Sequence, residues 1–212
     1  MPGIRAIVLA ALALVVLAGS ASAQASVSGE ELRVLFVGNS LTGTNDLPAR
    51  VAELAAASGR RMRARAIVFD GFGLEKKQGG ARAALASGEW DAVVMQHGPS
   101  SLPESQAHLR LWAARYAAVA RAAGIRPGLL TVWPESYRRA AFPAVVASYR
   151  KAAEAADAEL YPAGKAWRAT WACKPRLRLY GPDDSTQALS GPTWRPSSCT
   201  GGCSRPLCSR RH

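Results

Sequence analysis

Histidine is the scarcest chemistry-bearing residue in this 212-residue chain, with three copies, His97, His108 and His212. General bases and proton relays near neutral pH draw mainly on imidazole, so little such chemistry can be built here. Cysteine is nearly absent from the body: of four, Cys173 stands alone, and Cys199, Cys203 and Cys208 fall near the C-terminus. The Cys-x3-Cys-x4-Cys spacing has no fourth ligand in regular register, so a structural zinc module is not expected, and neither is any other metal or cofactor. Acidic residues are also few, 15 against 27 Lys and Arg, for a formal charge of +12. That excess disperses once it is located. Arg5 lies in the N-terminal segment, and Arg195, Arg205, Arg210 and Arg211 lie beyond Asp184, where there is no acid; removing one and then four from +12 leaves +7. Arg60, Arg61, Arg63 and Arg65 make the one dense cluster and read as a solvated turn before a strand. No nucleic-acid partner is expected from so scattered a charge.

Long apolar runs are absent except at the start. Arg5, the run from Ala6 to Ala18, and Ala21-Ser22-Ala23 before Gln24 form the positive end, apolar middle and small-residue cleavage site of a secretory signal over residues 1–23. The run is shorter than the roughly 20 residues a membrane span requires. An exported protein, periplasmic or extracellular, with no stable membrane insertion after cleavage is therefore expected. Residues 24–184 then read as one domain, and residues 185–212 as an aberrant tail.

From Glu30 the pattern alternates strand and helix. Leu32 to Gly38 is a short apolar run closed by Gly, the pattern of a strand buried on both faces. Leu47 to Ser58 carries Val51, Leu54 and Ala55 at helical spacing. Arg65 to Phe69 reads as a second strand, Leu74 to Ser87 as helix, and Trp90 to Gln96 as a third strand. Pro103 to Ala123 is the longest helix, with Leu109, Trp112, Tyr116 and Val119 on one stripe. Pro127 to Trp133, Phe142 to Ala156 and Glu159 to Tyr161 continue as strand, helix and strand. This alternation predicts a parallel sheet with helices on both faces, whose ligand crevice lies beyond the carboxyl ends of the strands.

Polar residues collect at those ends. The first strand closes in Gly38-Asn39-Ser40-Leu41-Thr42, placing a hydroxyl over the free N–H groups of a helix start. The second closes in Asp70-Gly71-Phe72-Gly73 and the third in Gln96-His97-Gly98-Pro99-Ser100.

The order of these pieces resembles the SGNH/GDSL hydrolase family. The resemblance rests on Val37-Gly38-Asn39-Ser40-Leu41-Thr42, Gly71-Phe72-Gly73-Leu74-Glu75, Trp90 to Gln96, Val132-Trp133-Pro134 and Leu179-Tyr180-Gly181-Pro182-Asp183, covering roughly Glu30 to Asp184. It implies a flavodoxin-like three-layer α/β/α sandwich and hydrolysis of an ester, a small-molecule or carbohydrate ester such as an acetylated sugar, through a serine. Carried over by position, Ser40 is the nucleophile and its own N–H part of the oxyanion hole. Gly71 N–H is the second donor, and Gln96 stands near the place of an asparagine donor. Asp183 matches the aspartate of the closing Asp-x-x-His element.

There the pattern breaks, because Asp183-Asp184-Ser185-Thr186 puts Thr where the family has its histidine base. A threonine hydroxyl cannot accept a proton near neutral pH, so Ser40 should be a poor nucleophile. His97, beside Gln96, and His108, within the long helix, are the substitutes available, each more simply read as a lip or surface residue. Moving the reading frame so that codons start at the third base lets Ser185-Thr186 encode His. The polar tail then becomes His-Pro-Ser followed by an Ala- and Leu-rich amphipathic run, as the family carries at its C-terminus. One lost base near codon 185 would account at once for the missing base, the cysteines and the excess arginine.

The tail as written cannot supply the final helix. Several large side chains' worth of burial, about 1.5 to 3 kcal/mol each, would be lost from one sheet face. Residues from Ser185 on are therefore expected to be disordered and the chain prone to aggregate. Two other classes compete: a non-catalytic small-molecule or carbohydrate-binding protein that keeps the crevice, and a nucleotide-binding module, for which Gly38 to Thr42 lacks the glycine repetition of a phosphate loop. Sequencing the DNA around codon 185 is expected to find an open alternate frame with a His codon; an immediate stop in that frame would overturn the frameshift.

Overall fold

The computed structural model describes residues 30–69 and 73–188. The expected signal, residues 1–23, and the chain from Leu189 on lie outside the described residues, as do Asp70, Gly71 and Phe72.

Five strands form one parallel sheet: β1 (Leu32–Gly38), β2 (Met62–Val68), β3 (Ala92–Met95), β4 (Arg126–Leu130) and β5 (Glu159–Tyr161), in the order β2-β1-β3-β4-β5. This is the flavodoxin-like order, in which the chain reverses its direction of travel across the sheet between β1 and β3. The helices are α1 (Ser40–Gly43), α2 (Leu47–Ala57), α3 (Gln78–Ala86), α4 (Pro103–Ala122), α5 (Phe142–Ala155) and α6 (Ala163–Cys173).

The central strand shows why the apolar run needed no alternation. Leu35 and Val37 of β1 enter one apolar cluster, with Leu85 of α3, Leu109 and Trp112 of α4, and Val145 and Tyr149 of α5. Val34 and Phe36 point the other way, into a smaller cluster with Ala92 and Val94 that Val51 of α2 packs against. Both faces of β1 are thus taken out of water, and the three layers follow as expected. In α4, Leu109, Trp112 and Tyr116 are all buried, so the stripe seen in the sequence is the face laid on the sheet. Gly124 ends that helix region with φ +73, a conformation glycine adopts without cost.

The structure departs from the sequence reading in four places. β2 starts at Met62, so Arg63 and Arg65 lie within a strand rather than in a turn. β2 is an edge strand, and its exposed alternate positions accept arginine, which also discourages edge-to-edge pairing. The helix expected from Leu74 begins as a 3-10 turn, Leu74–Lys77, and becomes regular only from Gln78. β4 ends at Leu130, three residues before the expected Trp133. The fourth difference is α6, which no strand-helix count required. Its Trp167 stacks on Trp133 with ring centroids 3.8 Å apart and meets Tyr180 edge-on at 5.1 Å, so an aromatic cluster holds it to the body.

Leu35 is fully buried between β2, β3 and the helices of the larger cluster. Leu35→Ala is expected to cost about 2 to 5 kcal/mol, read as a fall in the urea midpoint at unchanged slope.

Candidate active site

The crevice opens where β1 and β3 diverge, and the first residues after each strand build it. Asn39 caps α1: its side chain accepts from Leu41 N at 3.0 Å, and its carbonyl accepts from Thr42 N and Gly43 N at 2.9 and 3.0 Å. Ser40 is the first residue of that helix, and no described side chain hydrogen-bonds to its hydroxyl. Beyond α1 the chain turns sharply through Asn45 and Asp46, both left-handed with φ 60 and 50, a region that Asn and Asp tolerate better than most residues.

Gln96 is 1% exposed and sits between the two strand ends. Its Oε1 accepts from Asn39 N at 2.9 Å and from the Thr42 hydroxyl at 2.8 Å, while its Nε2 donates to His97 O at 2.6 Å. Gly38 must be glycine, because a Cβ there would run into both Thr42 Oγ1 and Gln96 Oε1. The oxyanion role expected of Gln96 does not fit this placement. Its amide is turned inward as a brace between β1 and β3 instead of standing at the lip. Gly71, the other expected donor, lies outside the described residues.

His97 and His108 are brought together, but not onto Ser40. His97 Nδ1 lies 3.1 Å from Ser100 Oγ, and its Nε2 lies 3.0 Å from His108 Nδ1. The His97 backbone is fixed by the fully buried Tyr149, whose hydroxyl donates to His97 O at 2.5 Å and accepts from His97 N at 3.1 Å. Burial of Tyr149 holds its hydroxyl protonated far above the ordinary tyrosine range.

Asp183 arrives from the far end of the chain. The segment Leu179 to Ala188 folds back on itself, with Gly181 N donating to Thr186 O at 2.8 Å and Ala188 N to Leu179 O at 2.8 Å. Trp133 Nε1 donates to Ser185 O at 2.9 Å, and Tyr180 OH to Pro134 O at 2.7 Å. Gln187 ties the segment to the loop after α1, its Nε2 donating to Thr44 O at 2.6 Å and its carbonyl accepting from Asn45 Nδ2 at 2.8 Å. The break in composition at Asp184 is therefore not a break in structure: Ser185 to Ala188 belong to the ordered body, and the expected disorder concerns residues outside those described.

Asp183 Oδ1 accepts from the backbone N–H groups of Ser185 and Thr186 at 3.1 and 2.9 Å, and Oδ2 accepts from the Thr186 hydroxyl at 2.7 Å. Partial burial alone would raise its pKa, but these donors outweigh it and hold the carboxyl below the usual carboxylate range. The acid is thus ionised and oriented toward residue 186, four residues of chain geometry that sequence spacing had suggested and only the turn makes real.

Sequence reasoning placed Ser40 and Asp183 at this edge but gave Thr42, Tyr149 and Glu75 no role in it. Thr42 carried a weak signal in its position one helical turn from Gly38; Tyr149 carried none, since it comes from α5. Gln96→Leu is expected to destabilise the fold by about 1 to 3 kcal/mol, because the buried Asn39 N–H and Thr42 hydroxyl would both lose their acceptor. Chemical denaturation checks this; unchanged stability would return Gln96 to a role at the crevice lip.

No family model matches the chain, and no curated protein matches it. Solved structures do. A candidate SGNH hydrolase from Slackia heliotrinireducens is similar at 26% identity and TM-score 0.61, over 75% of this chain and 91% of its own. A lipase/acylhydrolase from Enterococcus faecalis, at 15% identity and TM-score 0.60, shares the fold over 74% of this chain and 88% of its own. So does a catalytic mutant of an acetylxylan esterase from Geobacillus stearothermophilus, at 14% identity and TM-score 0.58, over 74% and 87%. The sheet order and the likeness to these structures agree with the motif blocks, and the chain has the fold of the SGNH hydrolases and is similar to one of them in sequence at 26% identity.

Proposed function

We propose that this chain is an exported ester hydrolase framework, built for a small or carbohydrate ester such as an acetylated sugar, whose activity is impaired because residue 186 is threonine. The observation that carries the reading is the 2.7 Å bond from the Thr186 hydroxyl to Asp183 Oδ2. An aspartate that holds the residue three positions on is what a serine hydrolase needs to orient an imidazole base. The esterase and lipase names of the structural neighbours support the reaction class. Export is supported by the N-terminal sequence pattern, and no described helix is long and apolar enough to cross a membrane.

The chemistry expected of the intact site follows from these positions. Ser40 Oγ attacks the ester carbonyl, and its proton must pass to a base as the bond forms, then to the departing alcohol. Imidazole at 186, held by Asp183, would accept that proton and return it. Threonine instead spends its own hydroxyl proton on Asp183 and offers an oxygen too weakly basic to take another. The return segment keeps this position beside the nucleophile loop, since the next residue, Gln187, is bonded to Thr44 and Asn45. On this reading the catalytic fault is the side chain at 186, and a frameshift near codon 185 would account for it together with the altered tail that follows.

Thr186→His is expected to raise hydrolysis of p-nitrophenyl acetate by about 100-fold or more, the usual scale of a positioned general base. Ser40→Ala in that background should abolish the gain, and an organophosphate should label Ser40 faster once the histidine is present. If Thr186→His folds but gains nothing and Ser40 resists labelling, the alternative of a non-catalytic binding protein using the same crevice is favoured.

A further inference from the structure

Glu75, His97 and His108 come from three separate elements, the turn before α3, the end of β3 and the second turn of α4, yet meet at one point. One donor atom from each lies within 4.8 Å of the others. His97 Nε2 and His108 Nδ1 are 3.0 Å apart, and Glu75 Oε2 is 3.8 Å from His108 Nε2. A tetrahedral zinc ion with bonds of about 2.0 to 2.2 Å holds its donors roughly 3.4 Å apart, so small side-chain rotations would close the set. We propose that Glu75, His97 and His108 form a binding site for a divalent transition-metal ion of the zinc class.

Two observations point to a ligand beyond mere proximity. Glu75 Oε2 is buried and has no hydrogen-bond partner, a costly state for a carboxylate oxygen that a cation would relieve. The neighbouring backbone leaves room for it. A Cβ at Gly73 would stand 2.5 Å from both Glu75 Oε2 and His97 Nε2, so the two donors converge over a glycine.

The hydrogen bonds also prepare the histidines. Ser100 Oγ donates to Gly98 O at 3.1 Å, which leaves its oxygen to accept from His97 Nδ1–H at 3.1 Å. His97 Nε2 is then unprotonated and faces the cluster, with its outer nitrogen fixed as metal-ligating imidazoles usually are. Trp112 Nε1 can only donate, and it does so to His108 Nε2 at 3.0 Å. Without metal, the His108 proton therefore sits on Nδ1 and bridges to His97 Nε2. When the ion takes Nδ1, that proton moves to Nε2, within reach of Glu75, and the Trp112 indole is released. No net proton is consumed in this exchange, and Trp112 becomes a reporter of occupancy.

The tail cysteines are the competing ligands, and cobalt distinguishes them from imidazole and carboxylate. The full chain, alkylated with iodoacetamide and stripped with chelator, is titrated with Co2+ and then Zn2+. One equivalent should bind with visible cobalt bands and no thiolate charge-transfer band, zinc should displace it, and tryptophan fluorescence should change. Glu75→Gln, which preserves shape and guards against misfolding, and His108→Ala should each weaken binding by about tenfold or more, and Trp112→Phe should remove most of the fluorescence response. Absence of binding at about 100 μM Co2+ would overturn the proposal, as would binding that survives both Glu75→Gln and His108→Ala.

Discussion

The Gln96 carboxamide lies buried where β1 and β3 part, and three hydrogen bonds converge on it from the chain on either side. Successive segments leave this point in opposite directions across the sheet, so the polar backbone just beyond β1 has no neighbouring strand to satisfy it. The glutamine side chain supplies the acceptor for Asn39 N–H and for the Thr42 hydroxyl, and adds a second donor to the His97 carbonyl beside the Tyr149 hydroxyl. Asn39 in turn caps the helix that begins with Ser40. The orientation of Ser40 thus depends on a group that never reaches the crevice. Tyr149 completes the arrangement from the other side by holding both polar groups of His97. A site fixed by its own interior can bind without first being ordered, which lowers the entropy cost of engaging a ligand.

The return segment is the second constraint. Leu179 to Ala188 is held by backbone bonds to itself, by Trp133 and Pro134 on one side and by Thr44 and Asn45 on the other. Its anchor is aromatic: Tyr180 is buried against Trp167, which stacks on Trp133. Residue 186 takes part in this anchorage through its backbone, and its hydroxyl and N–H are among the donors that hold the Asp183 carboxyl below the usual range. The same anchorage explains how the sequence can break its composition at Asp184 while the chain remains packed as far as Ala188.

Much of the fold was legible because its signals are local. The apolar run from Leu32 to Gly38 states burial on both faces, and the stripe Leu109, Trp112, Tyr116 states which side of α4 meets the sheet. Gly124 marks the end of that helix by its conformational freedom. Where several sequences serve equally well, local signals failed. Met62 to Val68 hid its start because an edge strand asks for burial on one face only, and arginine is acceptable on the other. Ala163 to Cys173 gave little periodic warning, since its stability comes from Trp167 finding Trp133 and Tyr180 elsewhere in the chain.

The site divides along the same line. Sequence by itself determined the order of the motif blocks, the places of Ser40 and Asp183 in them and the threonine at residue 186, because motif order and residue identity are one-dimensional facts. Only the tertiary structure decided that Gln96 braces instead of donating to the crevice. It alone decided that His97 pairs with His108, which in turn lies beside Glu75, and that Thr186 takes the hydrogen bond of the Asp183 carboxylate. Those outcomes depend on which buried polar groups lack partners once the strands diverge, and hydrogen-bond geometry across residues as far apart as Thr44 and Gln187 exists only in the folded chain.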